Sequence, residues 1–156
     1  MRDEGSKSRD EGEVDEGSAL ARLPSALRID GYASLWGVAD LNGDVVARGA
    51  FAESLARGGA VKMLHHHEAR AVVGVWDGLV EDDMGLKVSG RIMDWSAEGR
   101  LAQALVRADV LDGLSIGFRA AKARREGRLR VLTSVDLWEV SLVTFPMLPG
   151  ARFRAA

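Results

Sequence analysis

The chain of 156 residues contains no cysteine, which excludes disulfide bonds, a thiolate nucleophile and zinc bound through cysteine sulfur. A reducing compartment is compatible with that composition. The chain also lacks an apolar run near the roughly 18–20 residues that a membrane-spanning helix requires, and its N-terminus lacks the apolar core of a secretory signal. We therefore expect neither secretion nor membrane insertion, and a location in the cytosol or inside something assembled there.

An excess of charge of one sign is also missing. The formal net charge is −2 at pH 7, so the overall balance gives no reason to expect a nucleic acid or a membrane as the main partner. With 47% hydrophobic and 28% charged residues, the composition is typical of a soluble globular protein. The length suffices for one domain with a substantial core.

Apolar side chains are scarce at the N-terminus. In the first 18 residues (MRDEGSKSRDEGEVDEGS), Val14 is the only apolar side chain after Met1. Such a segment cannot bury enough surface to offset the entropy lost on ordering. We predict a disordered acidic tail over residues 1–25, which would also suit a tether or a removable propeptide, and one folded domain over residues 26–156.

The rest of the chain is rich in strand signals. Hydrophobic periodicity and turn residues predict strands over residues 28–36, 61–64, 114–121 and 129–145, a hairpin over 72–92, and helices over 50–57 and 97–108. Strands and helices do not alternate regularly, which argues against a doubly wound sheet. We predict an α+β fold, a mainly antiparallel and partly closed β-barrel with a few packed helices.

Two local signals refine these elements. Ser96 is a good N-cap for the second helix, which is expected to bury a face made of Leu101, Ala104, Leu105 and Ala108. In the hairpin turn, Gly85 is expected to supply a positive φ.

Ser115 lies in the apolar run GLSIG, with a glycine two residues away on each side. Glycines there leave the hydroxyl accessible and let another backbone approach, which suits a nucleophile as well as an ordinary bend in a strand. The string matches the G-x-S-x-G nucleophile elbow. That elbow needs a strand before the serine, a helix after it and a histidine later in the chain. Here a helix precedes Ser115, a strand follows and every histidine lies upstream, so we reject the α/β-hydrolase fold.

The three histidines are consecutive, at positions 65–67. On an extended strand His65 and His67 would share one face and His66 would point the other way. Three interpretations remain open: a general base for Ser115, since a neutral imidazole can accept a serine proton; a pair of metal ligands; or a polar loop without a chemical role.

A downstream strand carries two carboxylates. Strand alternation places Asp136 on one face with Ser134, and Glu139 on the other with Ser141. A carboxylate within an apolar strand costs free energy unless a partner stabilises it. One of the two is therefore a candidate to orient an imidazole, and the other is expected to face solvent.

A basic hairpin is predicted between the last two strands. Its cationic side chains are Arg119, Lys122, Arg124, Arg125, Arg128 and Arg130. Three roles are open for it: binding an acidic protein segment, binding nucleic acid, or no role beyond solvation of the hairpin. The absence of interleaved aromatic residues disfavours single-stranded nucleic acid.

Several blocks together resemble a known family. LHHHE at residues 64–68, GLSIGF at 113–118 and DLWEVSLVTFP at 136–146 are similar, in that order, to the signature blocks of the caudovirus prohead serine proteases. The segment 43–51, with GDVV and GAF, resembles the family's N-terminal block. The similarity extends from about residue 29 to 149. It implies a capsid-maturation endopeptidase with a fold distantly similar to the herpesvirus assemblins.

The resemblance implies roles for individual residues. The family's histidine falls on His67, with His65 as a rival base, and the nucleophile falls on Ser115. The third member is expected to be Glu139, with Asp136 in reserve. His67 would take the serine proton and pass it to the leaving amine, while Glu139 would orient the imidazole. No cofactor or metal is expected.

The resemblance also implies partners and a location. The substrate would be the major capsid protein or a scaffold protein, inside the assembling prohead in the cytoplasm of a bacterial host, with a homodimer as a compatible state and with neither membrane nor nucleic acid as partner. Two other functions stay open: an inactive capsid-assembly or scaffold module with the same fold, and a metal-binding β-barrel that uses His65 and His67.

Overall fold

The computed structural model describes residues 25–156, so the predicted acidic tail lies, apart from Ser25, outside the described residues. The strands are β1 (Ala26–Leu35), β2 (Asp44–Val46), β3 (Lys62–His65), β4 (Glu68–Glu81), β5 (Gly85–Met93), β6 (Gly113–Glu126), β7 (Leu129–Val143) and β8 (Phe153–Ala155). The helices are α1 (Ala52–Arg57) and α2 (Ala97–Arg107).

All eight strands belong to one sheet, ordered β2-β7-β3-β4-β5-β1-β8, with β6 paired to β7. A bridge between Gly113, at the start of β6, and Arg152, just before β8, joins the two ends. The expected mainly antiparallel, partly closed barrel is therefore confirmed. It is a mixed sheet, because β2 and β3 both run parallel to β7.

Strand β7 organises the sheet. It pairs with β6 along nearly its whole length on one edge, and on the other edge with β2 near its start and β3 near its end. Its Val, Leu and Thr side chains suit a strand of this kind. Leu132, Val135, Val140 and Leu142 are almost completely buried. Elements that are far apart in the sequence therefore meet on β7.

Helix α2 begins as predicted, since the Ser96 hydroxyl accepts a hydrogen bond from the Gly99 N–H at 3.0 Å. The predicted buried face is wrong. The buried residues are Gly99, Ala102, Gln103 and Val106, while Leu101 is 51% exposed. The cause is a hydrogen bond: the Gln103 amide donates to the Ile92 carbonyl at 2.7 Å. A polar residue that would be expected at the surface therefore packs against the sheet.

Gly85 differs from expectation too. Its φ is not positive; a Cβ there would lie 1.9 Å from the Ser34 carbonyl oxygen, so glycine serves the close approach of β1. Neither helix within residues 25–156 has the length and hydropathy needed to cross a membrane.

The burial pattern is testable with one substitution at two sites. Leu132→Ala removes a side chain that is 0% exposed and should lower the free energy of unfolding by about 3 kcal/mol through lost burial and a cavity. Leu101→Ala should change it by less than about 0.5 kcal/mol. Urea unfolding measures both. A comparable loss at Leu101 would contradict its solvent-facing placement.

Candidate active site

The three histidines do not continue a strand. Strand β3 ends at His65, and His66 and His67 adopt left-handed backbone conformations with φ of 53° and 60°, which turn the chain into β4. The expectation that His65 and His67 share a strand face is therefore wrong. Left-handed conformations are unfavourable for such residues, and β7 holds the turn: the His66 N–H donates to the Leu142 carbonyl at 3.0 Å.

A hydroxyl and a carboxylate on β7 engage His67. The His67 backbone N–H donates to the Ser141 Oγ at 3.0 Å, and the Ser141 hydroxyl donates to Glu139 Oε2. The other carboxylate oxygen, Oε1, contacts His67 Nδ1. These contacts form a closed ring in which Glu139 and Ser141 orient both the backbone and the side chain of His67.

The sequence did not single out Ser141 as part of the site. The sequence did contain an indication of this role, because Ser141 lies two residues after Glu139 on the same strand face. The carboxylate itself is buried, with the residue only 8% exposed. A buried carboxylate needs hydrogen-bond partners, and Ser141 supplies one of them.

The glycines flanking Ser115 have different tasks. At Gly113 a Cβ would lie 2.6 Å from the Val143 carbonyl oxygen, and at Gly117 it would lie 2.1 Å from Glu139 Oε1. Gly113 thus permits the backbone approach expected from the sequence. Gly117 lies opposite Glu139 in the ladder and makes room for the carboxylate.

Ser115 lies on β6 directly opposite Ser141. It is partly exposed and lines a pocket of about 410 Å³ together with His67. Within the described part of the chain, no hydrogen bond joins its hydroxyl to His67. Catalytic hydrogen bonds are often loose without substrate. The same pocket is lined by Asp44 and Arg130, which form a two-point ion pair with both N–O distances at 2.8 Å.

The environment changes the acidity of His67. The hydrogen bond with Glu139 raises the pKa of His67 above its usual 6.5, and burial opposes the shift. The side chain is 44% exposed, so solvent screens the pair. A raised pKa means that the ion pair stabilises the fold fully below about pH 6.5, and that this contribution is lost as the pH rises through the pKa of the folded state.

The remaining candidate residues lie in other environments. The Asp136 carboxylate contacts Arg57 and lies 3.2 Å from Arg119. The His65 Nε2 is buried with no partner among the described residues, and burial lowers the pKa of His65. In residues 25–156, no group of three or more His, Cys, Asp or Glu side chains is placed to hold a metal ion.

A partly exposed serine and a carboxylate-held imidazole line one pocket on a partly closed β-barrel, and these are the groups that a site of the serine hydrolase class requires. The family model for caudovirus prohead serine proteases matches residues 19–156. The chain belongs to this family.

A curated relative is the prohead protease of Enterobacteria phage HK97, which is 33% identical over 122 residues. The match covers 75% of this chain, and the chain spans 54% of that relative's length.

Two solved structures share the fold. The capsid assembly protease of bacteriophage T4 aligns with a TM-score of 0.63 and 12% identity, over 76% of this chain and 82% of that one. The KSHV protease, in complex with a hexapeptide phosphonate inhibitor, aligns with a TM-score of 0.59 and 16% identity, over 83% of this chain and 64% of that one. At these identities the likeness concerns the fold.

The pairing of His67 with Glu139 predicts a pKa change on substitution. Glu139→Gln removes the negative charge and should lower the pKa of His67, followed by NMR titration of its ring protons. Asp136→Asn is the matched control and should leave that pKa unchanged, because Asp136 contacts Arg57 and Arg119 instead. An unaltered pKa in Glu139→Gln would contradict the assigned contact.

Proposed function

We propose that the protein is a serine endopeptidase that cleaves capsid or scaffold protein during prohead maturation. The observation that carries the proposal is the contact of His67 with buried Glu139, made at the rim of the pocket that Ser115 lines. Family membership supports the reaction class, and the curated relative is itself described as a prohead protease.

The geometry supports a defined tautomer of His67. When Nδ1–H donates to the Glu139 carboxylate, the lone pair of Nε2 is left free to accept a proton. The imidazole can then take the Ser115 proton as the serine oxygen attacks the scissile carbonyl carbon. The protonated ring next donates to the leaving amine, and water repeats the cycle on the acyl-enzyme.

Glu139 acts in this scheme as the third member of the triad, because it holds the imidazole and favours its charged form in the transition state. Ser141 is a positioning residue, since it binds both the Glu139 carboxylate and the His67 backbone. Asp136 is a poorer candidate, because Arg57 and Arg119 already engage it. The developing oxyanion requires backbone N–H donors, each worth about 3 kcal/mol.

The names of the relatives support a substrate and a setting. The HK97 relative is named a prohead protease and the T4 structure a capsid assembly protease. We place this protein likewise inside the assembling prohead in the cytoplasm of the bacterial host, with the major capsid or scaffold protein as substrate.

Ser115→Ala should abolish processing of a co-expressed capsid protein encoded beside this chain, with cleavage falling by about a thousandfold or more. Mass spectrometry of the capsid protein's N-terminus gives the measurement. Ser89→Ala, at an exposed serine of β5, is the matched control and should process normally. Equal processing by wild type and Ser115→Ala, or by neither, would refute the proposal and favour an inactive assembly module.

The activity should depend on pH through His67. Because the base must be neutral and its pKa is raised, kcat/KM on a peptide substrate should increase with pH along a limb centred above the ordinary pKa of 6.5. Glu139→Gln should move that limb to lower pH and reduce the plateau by about a hundredfold or more. A limb at the same pH in both proteins would exclude Glu139 as the partner of the base.

A further inference from the structure

The hairpin of residues 119–130 carries charge that the candidate active site does not use. Strand β6 extends to Glu126, and β7 begins at Leu129, with Gly127 at φ +60° in the turn. Residues 121–128 are all exposed. The hairpin therefore projects as a two-stranded ribbon with both faces in water.

Three of its six cationic side chains already have a partner. Arg119 lies 3.2 Å from Asp136, Arg124 lies 3.1 Å from Glu126, and Arg130 pairs with Asp44 at 2.8 Å. Lys122, Arg125 and Arg128 have no carboxylate within ion-pairing distance among residues 25–156. Arg125 and Arg128 line one groove without counter-charges of their own and repel one another, so the hairpin offers an unfilled site for an anion.

This site borders the pocket of Ser115 and His67. Arg125 and Arg128 line a shallow groove with Asn42, Asp44 and Arg130. The last three also line the Ser115 pocket. A chain bound by Arg125 and Arg128 therefore lies at the rim of that pocket.

The sequence contains one matching acidic segment. Residues 10–16 (DEGEVDE) carry five carboxylates and no cationic side chain. The negative charges of this segment complement the positive charges of the hairpin, so the two attract each other. Its one glycine, Gly12, adds backbone freedom that suits a peptide laid along an exposed ribbon.

The segment can reach the hairpin of its own molecule. Strand β1 starts beside Ser25, and its ten residues span about 33 Å. Trp36, just after β1, lines the same shallow pocket as Arg124. The hairpin therefore lies at the far end of β1, about 33 Å from Ser25. The 15 residues from Asp10 to Ser25 extend to about 50 Å. The contour length therefore suffices for the N-terminal part of the segment, whereas Glu16, nine residues before Ser25, extends to about 30 Å.

We propose that the basic hairpin, through Lys122, Arg125 and Arg128, binds the acidic segment of residues 10–16 within the same molecule. The contact is electrostatic and exposed, so it weakens as salt screens the charges. It is independent of the proposed peptidase activity, and its test needs no turnover.

Carbodiimide cross-linking of the full-length protein tests the contact, because it joins a lysine amine to a carboxylate in direct contact. Lys122 should link to residues 10–16 at least five times more than Lys62 or Lys87, which are also exposed. The product should be a monomer whose yield does not change on dilution and falls at least fivefold in 0.5 M NaCl. Equal linkage to the three lysines, or a cross-linked dimer, would overturn the proposal.

Charge reversal supplies the matched variants. Arg125→Glu with Arg128→Glu should reduce the Lys122 cross-link at least fivefold, whereas Arg70→Glu with Arg107→Glu, two exposed arginines outside the hairpin, should change it less than twofold. Circular dichroism checks the fold of both, and the salt series on wild type decides the question if the hairpin variant does not fold. Two competitors distinguish the ligands: an equimolar 20-nucleotide oligothymidylate and a hundredfold excess of a peptide of residues 10–18. If the oligonucleotide abolishes the cross-link and the peptide does not, the hairpin is a nucleic-acid site instead.

Discussion

The site depends on a single buried charge, the carboxylate of Glu139. Placing an ion inside a sheet costs several kcal/mol unless its oxygens are engaged, and here one oxygen meets the His67 ring and the other the Ser141 hydroxyl. The same hydroxyl receives the His67 backbone N–H. The unfavourable left-handed turn at His67 is thus stabilised by the hydrogen bonds that satisfy the carboxylate, so the turn and the charge support each other.

Strand β7 explains how residues distant in the sequence come together. Its central position lets β3 deliver the histidine turn on one edge and β6 deliver Ser115 on the other. Side chains held on strands are positioned more rigidly than side chains on loops. Only His67 sits in a turn, and that turn is bonded to β7 twice, through Leu142 and Ser141.

Much of this arrangement could be predicted from the sequence, and the failures have physical causes. Strand periodicity and turn residues located every element except the two three-residue strands β2 and β8, which are too short to show a period. Alternation placed Glu139 on a face with Ser141. The buried face of α2 was predicted wrongly because Gln103 is buried, with its amide donating to backbone carbonyls. The polarity of a glutamine in the sequence does not indicate such burial. The histidine turn was missed because positive φ at His66 and His67 is stabilised by β7, a contact across more than 70 residues.

Because Gly117 has no Cβ, it restricts the register in which β6 and β7 can pair. In the native ladder Ser115 faces Ser141 and Gly117 faces Glu139. A slip of one residue would turn every side chain of β6 to the opposite face of the sheet. A slip of two would bring either Ser115 or Arg119 against Glu139, and each has a Cβ where the carboxylate needs space. The glycine therefore selects one alignment of the two strands, and that alignment sets where the serine stands relative to the carboxylate.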